Sequence, residues 1–203
     1  MTGNGGSEPS PLRLAVSGCA GIGKTALATA LRDLLGAELI AEGYEPLFAP
    51  AGLKGPPQRL AARFEQILDA KGAAALQATR VVADRCGADL FNLWLAHRLH
   101  QLPARTAAFA AAGREATEAY DLVIFPPWDE LPLKPHDAPD GRVRVQNRWV
   151  QLRNHAAILG LANLWLGPGR VLEMPPGLGS AARLAAWLTE QLQGRGLAPE
   201  GSG

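Results

Sequence analysis

Two cysteines, Cys19 and Cys86, are all the thiols this chain of 203 residues carries. A pair so far apart supplies neither a zinc-ligand spacing nor a disulfide framework. No apolar run reaches the roughly 18 residues of a membrane span. There is little excess of charge: 20 Lys and Arg against 19 Asp and Glu leave +1. That balance gives no electrostatic footprint for nucleic acid or for an anionic membrane. Lysine is scarce and arginine carries most of the positive charge. With so many Ala, Gly and Pro, this pattern is the one GC-rich coding would give, so an isolated Arg carries little weight. Residues 1–11 are polar and glycine-rich, without the basic and apolar regions of a secretory signal. They read as a flexible leader, residues 194–203 as a flexible tail, and a reducing cytoplasm as the expected compartment.

What the chain does have is the run Gly18-Cys19-Ala20-Gly21-Ile22-Gly23-Lys24-Thr25. It fits G-x-x-x-x-G-K-[ST], the phosphate-binding P-loop, without mismatch. Its context also fits. Leu12 to Ser17 reads as a short buried strand, and Lys24 to Leu35 as a helix stopped by Gly36. Glycines let the backbone wrap closely around a phosphate. The loop N–H groups of Gly18, Gly21, Ile22, Gly23, Lys24, Thr25 and Ala26, with the positive end of the helix, then face the anion. Lys24 is placed to reach the β- and γ-phosphates, and the Thr25 hydroxyl to ligate Mg²⁺. A nucleoside triphosphate is the implied ligand.

A composition of 47% hydrophobic and 19% charged residues suits one α/β domain with a proper core, over residues 12–193. Further strands are expected at 37–41, 80–84, 120–125 and 170–174. Residues 44–57 are rich in Pro and Gly and read as a loop. Helices are expected over 58–68, with 73–77 as an extension or a second short helix, and over 90–102, 106–119, 145–161 and 181–193. Pro103 is expected to break the helix over 90–102. Trp94, Trp149 and Trp187 read as core residues. Short apolar strands alternating with helices imply a parallel sheet covered on both faces. The expected fold is therefore a three-layer P-loop NTPase with five parallel strands and an arginine-bearing helical lid at about 126–155. Ligands in such sheets bind outside the carboxyl ends of the strands.

That polarity sorts the acids. Asp84 ends Val81-Val82-Ala83, so it belongs near Thr25 and the metal, with Arg85 placed to neutralise phosphate charge. Asp121 precedes its apolar run and falls at the opposite edge, as a capping or turn residue. Glu42 and Glu45 follow the second strand on the ligand side. If a hydroxyl must be deprotonated there, one of them is the natural general base, and Glu42 lies nearer the strand end. Arg142, Arg144, Arg148 and Arg153 follow Asp140-Gly141. On a mobile lid, Arg142 and Arg148 would stabilise charge on a transferring phosphoryl group. Trp128, in the loop after the fourth strand, is a candidate contact for a substrate ring. Cys19 and Cys86 are both expected at the ligand edge, where oxidation could join them or block the site.

The P-loop, the Glu42 region, Val81-Val82-Ala83-Asp84-Arg85 with Asp89, Tyr120-Asp121-Leu122-Val123-Ile124-Phe125 and Asp140-Gly141-Arg142 together resemble the ATPase/kinase domain of nicotinamide riboside kinases in bacterial NAD regulators. The chain is more distantly similar to deoxynucleoside kinases. The resemblance covers about residues 12–192. In deoxynucleoside kinases a Glu-Pro pair after the second strand supplies the base, which Glu45-Pro46 resembles; in the riboside kinase group the comparable acid is Glu42. The implied activity is transfer of the ATP γ-phosphoryl group to a hydroxyl of a small molecule, nucleoside-like or a secondary metabolite, with ATP and Mg²⁺ as cofactors. A homodimer is compatible with it. A regulatory P-loop NTPase that switches a protein partner is the alternative.

Overall fold

A computed structural model describes residues 11–44, 47, 55–128, 147–167 and 169–197. Glu45 and Arg142 lie outside the described residues, as do most of the 44–57 loop, most of the expected lid and nearly all of the leader.

Five short strands form the sheet: β1 (Leu12–Val16), β2 (Glu38–Ile40), β3 (Arg80–Asp84), β4 (Leu122–Phe125) and β5 (Val171–Glu173). Every pairing is parallel, and the order is β2-β3-β1-β4-β5. β4 is a continuous buried run, because a strand deep in a parallel sheet has no solvent face to alternate with. Among the described residues the longer helices are α1 (Lys24–Leu35), α2 (Pro57–Gln77), α3 (Gly87–Ala96), α4 (Pro103–Glu118) and α5 (Arg148–Leu166), which lie between strands, and α6 (Ala181–Gln193), which follows β5.

The period-2 alternation of the strands divides the core. Leu12, Leu14 and Val16 of β1 point to one face, where Ala28 and Leu31 of α1 and Leu184, Leu188 and Leu192 of α6 cover them. Ala15, Ala83, Val123 and Phe125 point to the other face, against Ile158, Ala162 and Leu166 of α5. A third cluster lies among α2, α3 and α4, built on Phe64, Leu68, Leu90, Trp94 and Phe109. The expected three-layer α/β arrangement with five parallel strands is the one the chain forms.

Several boundaries differ from expectation. The second helix is one continuous element of 21 residues, Pro57 to Gln77, and Lys71 bridges the gap assumed between 68 and 73. Residues 90–102 are not one helix. α3 ends at Ala96, Arg98 takes a left-handed φ of 57°, and a single 3₁₀ turn, Leu99–Gln101, follows. Pro103 opens α4 as its first residue, where its fixed φ suits the helix and its missing N–H costs nothing. α5 is shifted toward the C-terminus and opens with a cap in which the Asn147 side chain accepts from the N–H groups of Trp149 and Val150. Its buried stripe is Gln151, His155, Ile158, Ala162 and Leu166. Trp149 falls on the opposite side of that stripe and is 72% exposed, not core.

The consequence for a ligand is positional. β1 lies between β3 and β4, so the chain leaves its carboxyl end beside the point where the connections change direction across the sheet. There the P-loop begins.

Candidate active site

The loop between β1 and α1 is held open by glycine geometry. Gly18, Gly21 and Gly23 have φ of 124°, 86° and 81°, values that side chains disfavour. At Gly18 space is also closed: a Cβ would lie 2.7 Å from Ile22 Cδ1 and 2.9 Å from His155 Nδ1. Lys24 opens α1 and is buried, its Nζ donating to the Cys19 carbonyl at 2.5 Å. Burial, reinforced by the positive charge of Arg85, lowers its pKa to about 8. An ammonium held so close to desolvation cost favours an anionic partner.

β1 and β3 bring the next groups together. Val16 is in register with Asp84, so the last residue of β3 stands level with the start of the P-loop. The Thr25 hydroxyl donates to Asp84 Oδ2 at 2.5 Å. Asp84 Oδ1 is buried without a hydrogen-bond partner. A carboxylate oxygen in that condition, beside a hydroxyl oxygen, fits a hard divalent cation that brings its own waters and phosphate oxygens. Among the described residues no cluster of three or more His, Cys, Asp or Glu could hold a metal. Mg²⁺ in a P-loop needs no such cage.

Glu42 lies two residues past β2, and its Oε1 accepts from Arg85 Nε at 2.6 Å. Arg85 Nη1 reaches Asp89 Oδ1 at 3.2 Å and the Gly18 carbonyl at 3.5 Å. Burial works against the Arg85 charge, but Asp89 and Glu42 outweigh it and hold the pKa above its ordinary value. Arg85 adopts a left-handed φ of 76°, and its N–H donates to the Val16 carbonyl at 2.8 Å. Strain at a non-glycine residue is tolerated where surrounding contacts over-determine it. The structure thus joins Thr25 to Asp84, and Glu42 to Arg85, at one edge of the sheet. Arg148 opens α5 on the β4 side, its guanidinium 4.7 Å from the Trp128 ring centroid. Trp128 is thereby engaged within the chain.

Three contributions escaped the reading of the sequence. Asp89, noted only within the family resemblance, is fully buried under the P-loop. It accepts from Ser17 Oγ at 2.5 Å, Cys86 N at 3.1 Å and Gly18 N at 3.4 Å. Its spacing from Cys86 is that of a capping box, the one local signal available. Lys71 of α2 is buried, and burial lowers its pKa to about 8. It falls at a core position of the helical period Phe64, Leu68, Lys71, Ala75, an anomaly visible in sequence once the helix is known to be continuous. Finally, α5 abuts the P-loop: Gln151 Nε2 donates to the Ala20 carbonyl at 3.2 Å, and His155 packs edge-on to Phe125.

Other expectations resolve locally. Asp121 sits at the amino end of β4, where its Oδ2 accepts from Arg13 N at 2.7 Å. Cys19 and Cys86 are both buried free thiols, and burial raises them to about 11 and about 12. Burial keeps both thiols from solvent and disfavours the thiolate that oxidation uses. No helix among the described residues is long and apolar enough to cross a membrane.

No family model and no curated protein matches the chain. Solved structures do. Thymidylate kinase from Candida albicans superposes with a TM-score of 0.69 at 12% identity, covering 96% of this chain and 99% of the other. The NadR protein in complex with NR gives 0.61 at 17%, covering 96% of this chain but 54% of its own. Deoxyadenosine kinase from M.mycoides gives 0.59 at 15%, covering 91% and 100%. The fold is the one these P-loop kinases share, and both groups named from the sequence motifs are among the matches.

Proposed function

We propose that the protein is an ATP-dependent phosphotransferase that moves the γ-phosphoryl group to a hydroxyl of a small, nucleoside-like molecule. One observation carries the reading. Within a single edge of the sheet, a P-loop hydroxyl lies 2.5 Å from an acid with an unpartnered buried oxygen, and a second acid, Glu42, stands beyond Arg85 on the outer side. A nucleotide-hydrolysing switch needs the first pair; the second acid suits a second substrate. The kinase fold of the structural matches is consistent with this.

The roles follow from placement. The P-loop N–H groups and Lys24 bind the donor phosphates. Thr25 and Asp84 would hold Mg²⁺, which supplies charge neutralisation on the phosphate oxygens when bound. Glu42 orients the acceptor hydroxyl and takes its proton, Arg85 fixing the carboxylate by a short charge-assisted hydrogen bond. Glu45 is the other candidate for this role. Arg85 also faces the phosphate side through the Gly18 carbonyl. Arg142 and Arg148 are proposed to neutralise charge on the group in transfer.

The test is direct. The protein is incubated with ATP, Mg²⁺ and a panel of nucleosides and hydroxylated metabolites, and products are read by mass spectrometry. A product heavier by one phosphoryl group supports the reading. Hydrolysis with no phosphorylated product from any acceptor would transfer the assignment to the switch class.

A further inference from the structure

The parallel ladder between β2 and β3 stops at Ile40, in register with Ala83. Glu42 and Asp84 lie at or beyond its end, so this ladder does not set their separation. Lys71 reaches the backbone of both. It projects from α2 at a position where Leu68 and Ala75, one turn to either side, are core residues. A buried ammonium is tolerated only where its donors are satisfied. Its Nζ donates to the carbonyl of Ala41 at 2.7 Å, of Glu42 at 3.3 Å and of Asp84 at 2.9 Å. All three N–H donors are thereby used on backbone, two on the turn after β2 and one on the last residue of β3. The Tyr44 ring, 6.0 Å from Nζ and 5.2 Å from Arg85 Cζ, fills the space between the two cations. A leucine at 71 would satisfy the helical period without the desolvation cost, but it would leave those carbonyls untied.

We propose that Lys71 is a positioning residue: it fixes the distance between the acid on the metal side, Asp84, and the acid on the acceptor side, Glu42, by pinning the backbone carbonyls of both. This rests on the two-acid reading of the site. Lys71 meets Glu42 and Asp84 only through their backbone carbonyls, so its effect must pass through the placing of their side chains.

The measurement does not depend on knowing the acceptor. Affinity for AMP-PNP is determined calorimetrically, in chelator and then in Mg²⁺, for the wild type, Lys71→Met and Lys71→Gln, with thermal unfolding as the check on folding. For Lys71→Met, affinity without Mg²⁺ is expected within about twofold of wild type. The gain conferred by Mg²⁺ is expected to fall about tenfold, the scale seen when support behind a metal ligand is removed. Lys71→Gln, which keeps an N–H₂ donor on a shorter stem, should lie between, and it decides the question if Lys71→Met does not fold. Once an acceptor is known, kcat should fall about 100-fold at unchanged ATP KM, as for a displacement of about 1 Å. The proposal is overturned by an undiminished Mg²⁺ gain, by parallel losses with and without Mg²⁺, or by a wild type that shows no Mg²⁺ gain. If the wild type phosphorylates no acceptor, the transfer reading fails, and with it the acceptor-side role of Glu42, while the Mg²⁺ gain still decides whether Lys71 holds Asp84.

Discussion

At the scale of single residues, the site is a set of buried charges whose partners are identifiable. Lys24 is the simplest. Its ammonium is desolvated and bonded to one carbonyl, so removing it relieves a buried cation at the cost of one hydrogen bond. Lys24→Ala should therefore abolish turnover and weaken AMP-PNP binding while the unfolding midpoint stays within about 2 °C of wild type, a shift below 1 kcal/mol for a chain of this size. Full activity in that variant would sink the P-loop assignment. Arg85 behaves in the opposite way. It pairs with Asp89, which has no solvent exposure, and with Glu42. Arg85→Met leaves the Asp89 carboxylate buried with only neutral donors, and should destabilise the protein by about 3 kcal/mol in chemical denaturation. A loss under about 1 kcal/mol would mean that Ser17 and the backbone N–H groups carry that charge alone.

At the scale of elements, a close helix crossing is the most demanding feature. A Cβ at Gly87 would lie 2.1 Å from the Gly113 carbonyl oxygen and 2.8 Å from Thr117 Oγ1. α3 and α4 therefore touch backbone to backbone. Gly87→Ala must push them apart, and should cost at least about 1–3 kcal/mol, read from the urea midpoint. Because α3 begins at Gly87 and carries Asp89 in its first turn, the same variant should also weaken nucleotide binding. Its stability equal to wild type would show that the crossing relaxes freely. No sequence pattern announces that contact, since it depends on which two glycines meet. Other elements were legible. α1, β3 and α6 fall at their expected bounds, because caps and apolar periods agree there. Where a cue had two meanings the reading slipped: Pro103 starts a helix instead of breaking one, and Lys71 interrupts an apolar period without interrupting the helix. Strand polarity placed Asp84 beside Thr25, whereas Asp89 and Lys71 lie on helices, where the rule of strand ends gives no guidance.

For the whole molecule, near-zero net charge means that pH acts through particular buried groups and not through general repulsion. Two histidines in different parts of the core are such groups. His97 borders the cluster among α2, α3 and α4, its ring 6.0 Å from Phe64. His155 packs between Phe125 and Gly18, its Nδ1 buried without a partner. Burial lowers both pKa values below 6.5; for His155 the nearby Lys24 lowers it further, against a smaller opposing pull from Asp89. In the unfolded chain both imidazoles regain the ordinary value. As pH falls through 6.5 the unfolded chain takes up protons that the folded chain still refuses, so the unfolded state gains. The stability these neutral rings permit is present above pH 6.5 and is lost progressively as pH drops toward their folded pKa values. The unfolding midpoint should therefore decline between pH 7.5 and 5.5. It should decline less steeply in His155→Gln and least in a variant that also carries His97→Gln, because those side chains have no proton to take up. Equal slopes in all three proteins would place the acid sensitivity on carboxylates. A slope changed by His97→Gln alone would mean that the ring beside Gly18 is protonated as readily in the folded protein as in water.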